Sequence, residues 1–212
     1  MHLAPKPFFR GWSHIIAFVA AITLCPILIS SSDQGRELAT FYSIAVVVLF
    51  GVSSLYHGFS WSARVHDLLR RLDHATIFVA IAATYTPISW YVLPRSAAVT
   101  VLLAVWIGAL LGVLVMIFWP TAPQVTLVTL FIIVGWSALI VIHEFWMALS
   151  TSGFTLLLLG GAFHTIGAIV YATKKPDPWP KIFGFHETFH FCVICGIASH
   201  YVLIAFIALP DA

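Results

Sequence analysis

Two histidines that could bind one metal ion, His186 and His190, stand four residues apart at the start of the last long apolar run. Four residues turn an α-helix through about 400°, so the two imidazoles would lie on one face of the helix. Helical histidines at this spacing are a common way to bind a zinc ion. Because polar groups inside a lipid bilayer are costly, a histidine pair at the head of such a run favours a functional site.

The composition places these histidines in a membrane protein. Of the 212 residues, 61% are hydrophobic and only 8% are charged, whereas soluble domains carry about 25% charged residues. We therefore predict an all-α integral membrane protein with one domain, residues 1–212, folded as a bundle of seven transmembrane helices. The predicted spans are the apolar runs 12–30, 38–58, 72–92, 96–118, 124–146, 153–173 and 184–208, each close to the ~20 residues that cross a bilayer.

Two segments of the chain allow more than one structural interpretation. The first run follows Lys6 and Arg10 and resembles a signal peptide, but it lacks a clear cleavage motif, so we predict that it is retained as the first span. The longest inner loop, residues 59–71, has apolar residues at helical spacing. It suits either a short helix on the membrane surface or an ordinary basic loop.

The basic residues predict the orientation of the bundle. Eight of the ten lysines and arginines fall in the N-terminal segment or in loops on the same side of the membrane. Since basic residues accumulate on the cytoplasmic side, we predict a cytoplasmic N-terminus and an outside C-terminus. The protein is therefore expected to be a multi-pass protein of the cell membrane.

This topology brings distant polar residues to one depth. Span two ends on the inside with Ser53 and His57, and span three begins there with Asp73, at the level where span seven begins with the histidine pair. Three imidazoles with an open fourth position describe a catalytic zinc site. The hypothesis requires a ring nitrogen of His57 within about 6 Å of those of His186 and His190.

The same residue types suggest hydrolytic chemistry. Zinc lowers the pKa of a bound water to about 7. Asp73 would cost roughly 2.5–3.5 kcal/mol in lipid, so it is expected to face a polar cavity, although pairing with Arg70 or Arg71 is an alternative. Ser53 could orient the water or donate to a developing oxyanion. The candidate metal ligands are His57, His186 and His190, and the candidate catalytic groups are Asp73 and Ser53.

We predict structural or solvated positions for the other histidines and for the cysteines. His164 lies among glycines and is expected to hydrogen-bond a close neighbouring helix. His200 lies about 15 Å beyond His190, too far to share the metal, and could line a cavity or form a structural hydrogen bond. The three cysteines lie in apolar runs and are expected to be packing residues. A structural role is also predicted for His74, and solvated positions are predicted for His2, His14, His66 and His143.

The motifs Ser53-x-x-x-His57, Asp73 and His186-x-x-x-His190 together resemble the hemolysin III branch of the progestin and adipoQ receptor family. The resemblance covers essentially the whole chain, and more distantly the chain is similar to the alkaline ceramidases. It implies zinc on the three histidines, with the aspartate near the zinc-bound water and the serine beside it. It also implies a seven-helix bundle whose internal cavity admits a membrane lipid.

Three functions remain open at this point. The first is a zinc-dependent lipid amide hydrolase with a ceramide-like substrate, and the second is a lipid regulator, sensor or cytolytic protein with structural zinc. The third is an intramembrane metalloprotease, because His186-Glu187-x-x-His190 matches H-E-x-x-H, in which the glutamate is the general base. A nucleic-acid partner is not expected, and the sequence specifies neither the lipid nor the oligomeric state.

Overall fold

The computed structural model describes residue 9 and residues 11–209. Within this part of the chain, seven helical segments are long and apolar enough to cross a bilayer, which confirms the predicted all-α seven-span architecture. The helices are α1 (Trp12–Ser31), α2 (Arg36–Gly58), α3 (Ala63–Val92), α4 (Arg95–Phe118), α5 (Gln124–Gly135), α6 (Ile142–Ala148), α7 (Thr151–Thr173) and α8 (Phe185–Leu203). The fifth span comprises α5, a 3-10 turn (Ser137–Val141) and α6, and a π turn (Ile204–Ala208) extends α8.

Short connections make successive helices neighbours in the bundle. α3 is the central helix, since it contacts α2, α4, α5 and the π turn after α8. α1 contacts both α2 and α8, which brings the first and the last helices together. Large apolar side chains such as Ile16, Phe118 and Phe206 remain exposed on the outer surface. A surface of this kind suits lipid rather than water, as expected of an integral membrane protein.

The third span differs from the sequence prediction at its start. α3 runs without a break from Ala63, so residues 63–71 extend the span and form neither a separate surface helix nor a loop. Its 30 residues extend about 45 Å at 1.5 Å per residue, which exceeds the ~30 Å thickness of the hydrocarbon core. The first turns of α3 therefore lie beyond the hydrocarbon, where Arg64 and Asp67 are solvated at no large cost.

The fifth span is interrupted where the sequence predicts a continuous helix. Tyr85 of α3 bridges the break: its hydroxyl donates to the carbonyl of Gly135 (2.7 Å) and accepts from the N–H of Ala138 (2.9 Å). Trp136, in the break itself, donates from Nε1 to the hydroxyl of Thr165 on α7 (2.9 Å). Irregular backbone is tolerated at membrane depth where protein groups satisfy it, and Tyr85 supplies two of those hydrogen bonds.

Candidate metal centre

Two carboxylates fix the N-terminus of α8. Glu187 accepts a hydrogen bond from the N–H of Gly184 (2.8 Å), and Asp177 accepts one from the N–H of Phe185 (2.9 Å). The first N–H groups of a helix lack partners within the helix, and negative charge is stabilising there. These bonds set the start of α8 and so place His186 in its first turn and His190 in its second.

The other helix that carries a candidate ligand, α2, presents His57 in its last turn. Trp61 donates from its indole N–H to the carbonyl of Leu55 (2.7 Å), which satisfies a carbonyl that the helix end leaves free. Gly11, just before α1, has φ +89° and packs against this end, since an added Cβ would lie 3.0 Å from the N of Gly58. Only glycine adopts this conformation at no steric cost, and it lets α1 begin against the end of α2.

The three predicted ligands meet at one point. One ring nitrogen from each of His57, His186 and His190 lies within 4.8 Å of the other two, inside the limit that the hypothesis set. The Nε2 atoms of His57 and His186 are 3.3 Å apart. Zinc–nitrogen bonds of 2.0–2.1 Å in a tetrahedron place two nitrogens about 3.3 Å apart. The cluster therefore fits a metal ion, and a set of imidazoles suits zinc among other transition metals.

Asp73 lies beside this cluster on α3. It is buried, and its Oδ2 is 3.6 Å from Nε2 of His57. Arg70 instead approaches Asp67 (4.0 Å), and the ion pairs of the described residues include none between Asp73 and Arg70 or Arg71. The carboxylate thus lies beside a candidate metal ligand, as the sequence analysis expects, and does not pair with a surface arginine.

The prediction of a solvated His14 is wrong. This side chain is only 4% exposed, and its Nδ1 lies 2.6 Å from the hydroxyl oxygen of Ser53. Its ring stacks on that of His190, with centroids 3.7 Å apart and planes 18° apart. Ser13 adds a long contact of 3.5 Å to Nδ1 of His190. α1 therefore supports the metal centre through a residue that the sequence analysis missed.

The remaining histidines and the cysteines lie outside the cluster. His74 donates from Nδ1 to the carbonyl of Arg70 (2.6 Å) and accepts at Nε2 from Tyr171 (3.3 Å), in agreement with a structural role. His143 is exposed, as predicted, whereas His66 is half-buried against the ring of Tyr56. His2 lies outside the described residues. The three free cysteines are Cys25 and Cys192, both buried, and Cys195, which is half-buried.

A cavity of about 290 Å³ opens beside the metal centre. His57, His186 and Asp73 line one end of it, and His164 and His200 also line its wall. Between them the wall is mostly apolar, built from leucine, isoleucine, valine and phenylalanine side chains of the surrounding helices. An apolar cavity with a few polar groups is a typical ligand site, and this one suits a hydrocarbon chain.

Comparisons with known proteins identify the family of this chain. The family described as Haemolysin-III related matches residues 3–201. The chain is 30% identical to the Hemolysin-3 homolog of Bacillus subtilis (strain 168) over 194 residues, covering 91% of this chain and 88% of that protein. It is also 30% identical to Hemolysin-3 of Bacillus cereus over 207 residues, covering 96% of this chain and 90% of that protein. It is 28% identical to the Adiponectin receptor protein of Drosophila melanogaster over 238 residues, covering 94% of this chain and 53% of that protein. The chain therefore belongs to the haemolysin-III related family, and receptors of the adiponectin and progestin type are among its relatives.

Proposed function

We propose that this protein is a zinc-dependent hydrolase that cleaves an amide bond of a membrane lipid from within the bilayer. The observation that carries the proposal is the meeting of three imidazoles and a buried carboxylate at one end of an apolar cavity. A lipid whose hydrocarbon chain occupied this cavity would bring its polar head to the metal centre. The predicted orientation puts that centre near the cytoplasmic face of the cell membrane.

The side chains around the metal have separable roles in this proposal. When bound, zinc would act as a Lewis acid toward the amide carbonyl and would acidify a water molecule. Asp73, whose Oδ2 is 3.6 Å from Nε2 of His57, would take a proton from the attacking water and pass it to the leaving amine. If His14 donates from Nδ1 to the oxygen of Ser53, the serine hydroxyl hydrogen is left to donate to the developing oxyanion.

The placement of the ligands supports an open coordination position. His57 and His186 line the cavity, whereas His190 is 1% exposed and lies against the ring of His14. A ligand entering from the cavity would therefore approach the metal on the side away from His190. An open position of this kind belongs to catalytic zinc sites, while structural sites are closed by four protein ligands.

A second candidate is a non-enzymatic function in which the metal clamps α2 to α8. The Bacillus cereus relative is named Hemolysin-3, and that name favours a cytolytic or lipid-regulating protein with structural zinc. The protease interpretation has less support. Glu187, its required general base, is 1% exposed and hydrogen-bonds the backbone at the start of α8, which is the role of a helix cap.

Metal analysis and lipid hydrolysis by the same purified protein test the proposal. We expect about one zinc per chain and hydrolysis of a ceramide-type amide in detergent micelles. His190→Ala should lose zinc and hydrolysis together. The matched control is His143→Ala, which removes an exposed histidine of α6 and should retain both. Full hydrolysis by a zinc-free variant would contradict the proposal.

Two further variants separate the candidate functions. Asp73→Asn should retain zinc and slow hydrolysis by about 10²–10⁴-fold, the usual contribution of a general acid–base group. Glu187→Gln should retain the chemistry and lower the thermal stability, because it weakens a helix cap. If Glu187→Gln abolished hydrolysis and Asp73→Asn retained it, Glu187 would be the base and a protease would be favoured. Dye leakage from vesicles, without hydrolysis by zinc-loaded protein, would favour the cytolytic alternative.

A further inference from the structure

Two histidines from adjacent helices, His164 of α7 and His200 of α8, meet on the cavity wall away from the metal centre, with ring centroids 5.7 Å apart. Each ring packs over a glycine of the other helix: His164 over Gly196, and His200 over Gly160. A Cβ at either glycine would collide with the facing imidazole. The reciprocal arrangement gives both rings access to the cavity from the middle of two membrane spans.

The two imidazoles differ in their hydrogen bonding. His200 donates from Nε2 to the carbonyl of Leu157 on α7 (3.3 Å), which is the structural hydrogen bond that the sequence analysis allows. His164 has no hydrogen-bond partner among the residues that the structure describes, contrary to the bond to a neighbouring helix that the sequence predicts. A neutral imidazole has one donor and one acceptor, and leaving both without partners in an apolar place is costly.

The other polar groups along this part of the wall are already satisfied. The hydroxyls of Thr84 and Thr165 donate to backbone carbonyls of their own helices, at 2.7 and 2.8 Å. The hydroxyl of Tyr85 both donates and accepts at the break in the fifth span. His164 is therefore a side chain of this wall whose donor and acceptor both remain available to a molecule in the cavity, whereas His200 already uses its donor.

The distance from the metal centre fits a chain-bearing ligand. On α8, Gly196 and His200 follow His190 by six and ten residues, so the histidine pair lies roughly 9–15 Å farther along the helix at 1.5 Å per residue. A lipid head at the metal would thus place a mid-chain segment beside His164. An all-hydrocarbon chain would leave the imidazole without a partner.

We propose that His164, supported by His200, binds a hydroxyl group part-way along the hydrocarbon chain of the lipid. A hydroxyl donates and accepts as a neutral imidazole does, so one such group satisfies the ring. This inference depends on one part of the proposed function, the binding of the lipid head at the metal centre. It narrows the substrate class to lipids with a mid-chain hydroxylated acyl group.

Binding of fatty acids to the purified zinc-loaded protein tests the inference. The probes share one chain length and carry a hydroxyl near the carboxyl group, in mid-chain, at the terminus, or not at all. Isothermal titration in detergent should show the mid-chain hydroxy acid binding roughly 3- to 10-fold more tightly than the unsubstituted acid, the gain expected from one hydrogen bond. His164→Phe should abolish this preference and retain the affinity for the unsubstituted acid. His164→Gln should restore part of the preference.

The controls separate this inference from the proposed function. His143→Phe, an exposed histidine-to-phenylalanine change, should behave as the unchanged protein, and thermal unfolding checks that each variant is folded. His190→Ala should weaken the binding of all probes alike, because it acts at the head. If that variant binds every probe normally, the anchoring of the head at the metal is wrong. If head anchoring holds but the mid-chain hydroxyl gives no gain, or if His164→Phe leaves the gain intact, the histidine subsite is overturned.

Discussion

The imidazole of His14 lies face to face with that of His190 and contacts the hydroxyl of Ser53. Sequence spacing could predict that three histidines meet, because His57, His186 and His190 fall at the inner ends of spans that the basic residues orient. It could not predict the role of His14, because a single histidine near a span end resembles many solvated ones. The sequence signal that could have found His14 was its depth in the membrane, since it stands at the inner end of its span, at the level of the three clustered histidines.

We predict that His14→Phe lowers metal affinity by about 10- to 100-fold, the usual effect of losing a partner of a metal site. Phenylalanine retains a ring to stack on His190 but removes the hydrogen bond to Ser53. Competition between the purified protein and a chelator measures the affinity. His14→Gln, which can still donate to the serine, should restore part of it, and His66→Phe on α3 is the control. Wild-type affinity in His14→Phe would mean that α1 does not support the site.

Among the helices, the fifth span contains a break that the sequence pattern does not predict. The run 124–146 is mostly apolar and contains no proline, so it predicts one continuous helix. The break after Gly135 depends on a tertiary contact, the hydroxyl of Tyr85 on α3. The early start of α3 was predicted only in part: helical spacing within 59–71 allowed a short surface helix, but the charged residues there gave no sign that it continues into the third span.

We predict that Tyr85→Phe destabilises the protein by about 1–3 kcal/mol for each group left unpaired, a carbonyl and an N–H. Thermal unfolding in detergent should show a lower Tm. Tyr91→Phe is the matched control, because that hydroxyl makes one long bond of 3.3 Å to the carbonyl of Gln34 at an exposed position. Equal midpoints for the two variants would show that Tyr85 does not hold the break.

For the whole molecule, the orientation in the membrane decides which leaflet would supply the proposed lipid. The positive charge is concentrated on one side of the bundle, and a cytoplasmic N-terminus is the arrangement that membrane proteins with this bias adopt. The three-histidine cluster and the end of the cavity that Arg70 lines would then lie toward the cytoplasmic leaflet.

Cysteine labelling in intact cells measures the orientation of the bundle in the membrane. Asp33 lies in the exposed turn between α1 and α2, and Lys181 lies in the exposed loop before α8. We predict that a membrane-impermeant maleimide labels Asp33→Cys in intact cells and Lys181→Cys only after lysis. The protein's own cysteines lie within the spans and provide the background. The reverse pattern would move the metal centre to the outer leaflet.

The metal centre joins residues that are far apart in the chain, with His57 at the end of α2 and the other two ligands at the start of α8. During biosynthesis, the second span therefore enters the membrane well before the last one leaves the ribosome. The complete set of three imidazoles forms only after the final helix has been inserted beside the first two. Metal loading would consequently be a late step in biogenesis, and occupancy of the site would report that all seven spans have assembled.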